Sequence, residues 1–150
     1  MLADQVVEDL FLGGHRAASQ PSVKDFDVIL NISQEVPLAC GLCAHQEAVR
    51  YDVMDAGAGD QDNMALVLRA TAPVIARSLR ANRRVLVHCH EGKQRSAAVV
   101  AFYLMQSMGL PAAEAIAFVR RRRREAWDWG CYVHYHPALL LAAHQQNSNS

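Results

Sequence analysis

Short apolar blocks alternate along this chain with longer stretches in which apolar positions recur every three or four residues. Val28–Ile32 (VILNI) and Val85–Val87 are brief runs rich in β-branched residues, the pattern of buried strands. Val6–Leu12, ending at Gly13-Gly14, reads as one or two short strands, and Val49–Asp55 as a further strand. Asn63–Ala81 has helical spacing, with Met64, Val67, Leu68, Ala72 and Ile75 on one face, and Pro73 inside it predicts a kink. Ser96–Met108 is an apolar helix stopped by Gly109 and Pro111; Ala112–Arg124 is an amphipathic helix, and Pro137–Gln146 is the last. Pro21 and Ser22 open a short helical turn, Gln34–Gln46 is loop, and Ala56–Asp62 is a flexible polar loop with Asp62 as cap of the following helix. The strands are apolar throughout rather than alternating. That predicts an α/β fold, a central mainly parallel sheet flanked by helices with both faces covered. One domain over residues 1–146, followed by a disordered polar tail at 147–150, accounts for the whole pattern.

Composition narrows the function classes. Fifteen basic and fifteen acidic residues balance to zero net charge among 150 residues, and 51% are apolar. A chain this apolar is not intrinsically disordered. Without a basic excess, nucleic acid is not an expected partner. The N-terminal stretch carries Asp4, Glu8 and Asp9 and lacks the form of a signal peptide, and runs such as Ala97–Met105 are too short for a membrane span. The expectation is a soluble protein of the cytoplasm, with the nucleus as the alternative, whose Cys40, Cys43, Cys89 and Cys131 are reduced thiols. A monomer is expected, with a dimer left open.

The chemistry concentrates in His88-Cys89-His90-Glu91-Gly92-Lys93-Gln94-Arg95-Ser96, which joins the Val85–Val87 strand to the apolar helix after it. A loop entering a helix N-terminus offers unpaired backbone N–H groups and the positive end of the peptide dipoles, a site suited to phosphate. Gly92 allows a loop geometry that a Cβ would obstruct. Arg95 adds a planar fork for two phosphate oxygens. A thiol at such a place, Cys89, is favoured as thiolate and can attack phosphorus in line, forming a phosphocysteine intermediate. Ser96 is suited to donate to the sulfur and assist its departure. His90, Glu91, Gly92, Lys93, Gln94 and Arg95 form the candidate phosphate-binding set.

Cys89 and Arg95 five residues apart, preceded by His88 and followed by Ser96, resemble the signature of the cysteine-dependent protein tyrosine phosphatases. The string HCHEGKQRS most resembles the small single-domain dual-specificity phosphatases, as do DLFLGG, VILNIS, Tyr51–Asp55 and AAVVAFYLMQSMGLPAAEAIAFVRRRR, in that order. The resemblance implies hydrolysis of phosphotyrosine and phosphoserine or phosphothreonine in protein substrates. It implies no cofactor and no metal, since Arg95, the loop amides and the helix end supply the positive charge. His88 is implied to support the loop from behind. The alternatives are an RNA 5′-triphosphatase or a phosphoinositide phosphatase on the same fold, and a phosphate-binding module with weak turnover.

A leaving group needs a proton as its P–O bond breaks, and a carboxylic acid supplies it. The family takes it from an aspartate at the end of a strand upstream of the cysteine, where an ungapped comparison of this chain places Ala58. Tyr51, Val53 and Asp55 share one face of the expected strand, so Asp55 is the preferred acid, with Asp60 as the alternative. An enzyme without an efficient acid, limited to good leaving groups, is the remaining reading. Cys40-Gly-Leu-Cys43 with Cys131, His134 and His136 has zinc-like spacing, but a single CxxC with distant histidines is a weak signal. Arg120–Arg124 reads as a solvated helix end from which one or two arginines could reach the site, and Trp127, Trp129, Tyr132 and Tyr135 as anchors for the last helix.

Overall fold

The apolar blocks become five strands: β1 (Ala3–Val7), β2 (Leu10–Gly13), β3 (Val28–Asn31), β4 (Glu47–Arg50) and β5 (Val85–His88). Four helices follow: α1 (Gln61–Arg80), α2 (Arg95–Met108), α3 (Ala112–Arg122) and α4 (His136–Ser148). This computed structural model describes residues 2–54, 60–128 and 134–148. The sheet order is β1-β2-β5-β3-β4, with β1 antiparallel to β2 and the other pairings parallel.

Strand periodicity divides the core. Leu10 and Leu12, Val28 and Leu30, and Val85 and Val87 face a large apolar cluster to which all four α-helices contribute. Phe11, Ile29 and Leu86, one position out of phase, face a smaller cluster with Val23, Phe26, Ala17 and Ala18. A 3-10 helix at Ser22–Asp25 and partly buried Ala39 and Leu42 cover that second face. Both faces are thus buried, and the α-helices gather on one.

Several element boundaries differ from the sequence reading. β4 ends at Arg50, although burial still alternates from half-buried Tyr51 through exposed Asp52 to buried Val53. Asp62 lies inside the first turn of α1; the cap position is Asp60, whose side chain makes no capping bond. α1 begins earlier than expected and continues through Pro73 to Arg80. α3 stops at Arg122, and α4 runs through Asn147 to Ser148, so those two residues are helical and not part of a disordered tail. Asp55, Ala58, Trp129, Cys131, Tyr132, Asn149 and Ser150 lie outside the described residues.

β5 is the middle strand, hydrogen-bonded on both edges, and its C-terminal end delivers Cys89. The loops leaving its two neighbours, β2 and β3, flank that end. Ligands of parallel sheets gather there.

Candidate active site

The loop between β5 and α2 is held from behind by its carbonyls. Cys89 O accepts from His88 Nδ1 at 3.1 Å. His90 O accepts both the His15 backbone N–H and His15 Nδ1, each at 2.8 Å. Glu91 O and Gly92 O accept from Arg123 Nη2 and Nε at 3.0 and 2.8 Å. Lys93 O takes the Trp127 N–H and Gln94 O the Ala98 N–H, both at 2.9 Å. In a trans peptide the C=O and the following N–H point opposite ways. Carbonyls fastened outward therefore turn the N–H groups of the loop inward, and this builds the anion nest that the sequence suggests.

Two glycines permit the close approach. Gly92 has φ +71°, and a Cβ there would overlap the Gly13 carbonyl. A Cβ on Gly14 would lie 2.9 Å from His90 O. Gly92 therefore shapes the loop; it does not itself line the cavity in front.

That cavity, about 170 Å³, is lined by Glu35, Cys89, His90, Glu91, Lys93, Gln94 and Arg95. Cys89 is 3% exposed, and its Sγ lies 3.2 Å from Ser96 Oγ. Arg95 Nη1 and Nη2 engage the Glu35 carboxylate at 2.7 and 2.6 Å, and Nη1 also donates to Val53 O at 3.0 Å. The guanidinium hydrogen bonds hold Glu35 down to about 2, against the opposing effect of partial burial. Glu35 is therefore ionised at neutral pH and cannot serve as the proton donor. Lys93 Nζ sits 3.7 Å from Glu91 and 3.4 Å from Asp128. The His90 ring stacks on His15 with centroids 4.5 Å apart. A larger furrow of about 570 Å³ lies between α1 and α2, but no residue of the β5–α2 loop lines it.

His88 is fully buried, and burial pushes it down to about 4, so it is neutral and unsuited to act as a base. Asp60 is not among the residues lining the cavity. Among the described residues, no three His, Cys, Asp or Glu side chains converge as for a metal. Cys40 and Cys43 are free and exposed.

Sequence spacing missed Glu35, His15 and Asp128, because each meets the loop across the fold, and Asp4, which reaches it through Arg123. Glu35 had one local signal, the polar residues Asn31 and Ser33 breaking the end of an apolar run. Asn31 Nδ2 donates to Val36 O at 2.8 Å, Ser33 Oγ donates to Asn31 Oδ1 at 2.6 Å, and the Val36 N–H donates to Ser33 Oγ at 3.2 Å. This network fixes the turn that carries Glu35. Arg123, one of the arginine run, is the one that reaches the site, only 8% exposed, with Nη1 on Asp4 at 2.8 Å.

Known proteins share this arrangement at the level of the whole domain. The human serine/threonine/tyrosine-interacting protein is 30% identical over 124 residues, covering 79% of this chain and 56% of its own length. Human dual specificity phosphatase 28 is 33% identical over 124 residues, covering 79% of this chain and 66% of that protein. The chain thus spans a little over half the length of the first of these relatives. The crystal structure of human DUSP28 superposes with a TM-score of 0.80 at 28% identity, over 98% of this chain and 99% of the other. The family profile described as the dual specificity phosphatase catalytic domain matches residues 10–128, and with these likenesses the chain belongs to that family.

Proposed function

We propose that the protein hydrolyses phosphotyrosine and phosphoserine or phosphothreonine in protein substrates through a phosphocysteine formed on Cys89. The observation that carries this reading is the thiol at the floor of a cavity walled by Arg95, with Ser96 Oγ 3.2 Å from the sulfur. The phosphate sits against the inward N–H groups and the Arg95 fork. The Cys89 thiolate attacks phosphorus, the P–O bond to the substrate breaks, and the leaving oxygen takes a proton from an aspartic acid. Water then attacks the phosphocysteine with the aspartate as base. Phosphate leaves, and the sulfur departs as thiolate, stabilised by the Ser96 hydroxyl. The catalytic thiol must be reduced, which suits the cytoplasm or nucleus.

Asp55 is assigned as the acid in preference to Asp60. Arg95 is bonded to Val53 O, and Tyr135 OH donates to Met54 O at 3.4 Å, so the two residues leading to Asp55 are tied to the catalytic arginine and to the core. Asp60 instead occupies the cap position of α1.

The test is phosphate release from matched phosphotyrosine and phosphothreonine peptides across pH. Cys89→Ser should abolish release. Asp55→Asn should remove the limb of the pH profile that requires a protonated acid, while Asp60→Asn retains it. The reverse pattern reassigns the acid to Asp60. No release by the wild type, with phosphopeptide still bound, replaces the enzyme by a phosphate-binding module.

A further inference from the structure

The cavity is positive inside and acidic at its mouth. Glu35 and Glu91, which line it, and Asp128, paired with the lining Lys93, are three carboxylates whose side chains stay 47%, 48% and 36% exposed. The lysine among them, Lys93, lies within ion-pair distance of two, and Glu35 caps the outer end of the Arg95 guanidinium. Three carboxylates stand against Lys93 and Arg95, so the mouth carries an excess of negative charge once a phosphate dianion occupies the floor against Arg95.

A phosphate on the floor and the groups beside it therefore meet opposite fields. The phosphate is drawn to Arg95 and the inward amides. Its neighbours along the substrate chain pass the three carboxylates at distances where partly exposed charges still interact. A second phosphate or an acidic neighbour is repelled there, whereas an ammonium or guanidinium group is attracted. We propose, on the basis of the phosphatase reading above, that this site selects a singly phosphorylated protein segment with lysine or arginine next to the phosphoresidue. It discriminates against acidic or multiply phosphorylated neighbours. The same field disfavours RNA 5′-triphosphates and phosphoinositide polyphosphates, whose additional phosphates fall at the mouth.

Three phosphotyrosine peptides of one length test this, with lysines, alanines or glutamates on both sides of the phosphoresidue. At low salt kcat/KM should rank basic above neutral above acidic, with roughly tenfold between the extremes, a spread that narrows as salt is raised. Asp128→Lys, read as the ratio of the basic to the acidic peptide, should level or invert the order. Affinities of the same peptides for Cys89→Ser should follow the same rank, so the preference is read without turnover. An equal or reversed rank in the wild type overturns the proposal, as does failure of all three peptides to bind. Ranked binding with no hydrolysis by the wild type upholds the mouth preference and overturns the phosphatase reading. A flat rank with brisk hydrolysis does the opposite.

Discussion

The guanidinium side chain of Arg95 is 3% exposed and that of Arg123 is 9%, and each engages a carboxylate that is about half exposed, Glu35 at 47% and Asp4 at 41%. By burial and charge alone the two pairs are hard to tell apart. They differ in what else the guanidinium holds. Arg123 gives its other donors to Gly92 O and Glu91 O, so its charge faces the back of the loop. Arg95 lines the cavity beside Cys89, and its further acceptor, Val53 O, belongs to the segment that leads to Asp55. A buried arginine–carboxylate pair thus does not itself mark catalysis; the acceptors that share the guanidinium assign the task.

Four measurements bear on that contrast. Arg95→Lys keeps the charge and loses the fork, so kcat/KM should fall on the order of 10³-fold, about 4 kcal/mol, while the thermal midpoint changes little. Arg123→Ala should act chiefly on stability, with a smaller loss of kcat/KM as the loop loosens. It leaves two loop carbonyls and Asp4 without their donor and lowers unfolding stability by about 3 kcal/mol in a denaturant titration. A stable Arg123→Ala protein would collapse the distinction between the two arginines. Ser96→Ala should lower kcat roughly 30-fold, about 2 kcal/mol, with phosphoenzyme accumulating as a burst, because sulfur departure then lacks its hydroxyl.

At neutral pH the smallest effect concerns His88, behind the loop. Burial lowers it from 6.5 to about 4, so between those pH values the unfolded chain binds a proton that the folded one refuses. Stability from this group is complete above that window and declines as pH falls through it, by up to about 1.4 kcal/mol per pH unit. Unfolding of His88→Asn should lack that slope.

The strands around β5 and the loop that follows it were legible because their information is local. Val85–His88 is a buried apolar run, and Cys89, Gly92, Arg95 and Ser96 lie within one loop and the first turn of α2. Strand β4 was misplaced for a physical reason: Tyr51 to Val53 keep the in-out alternation of a strand after the ladder has ended at Arg50. The helix boundaries near Asp60 and Arg122 each shifted by two residues, within the fraying that helix ends show. Glu35 was illegible as a partner of the loop because it lies 60 residues before Arg95, and which arginine of the Arg120–Arg124 run reaches the site was illegible because Arg123 lies 31 residues after Gly92. Only the parallel order β2-β5-β3 and the packing of α3 bring them to the same end of the sheet.

The burial of Cys89 also divides the described thiols by reagent. It lies at the floor of a cavity of about 170 Å³ walled by Arg95, whereas Cys40 and Cys43 stand in solvent. On the proposed reading, iodoacetate, a small anionic alkylator, should be guided to Cys89 by the same charge that would receive phosphate. A bulky neutral maleimide reaches the two exposed cysteines and is too large for the floor. Successive treatment with the two reagents, read by intact mass, therefore reports whether the phosphate site is empty or filled in any preparation, without a substrate being known.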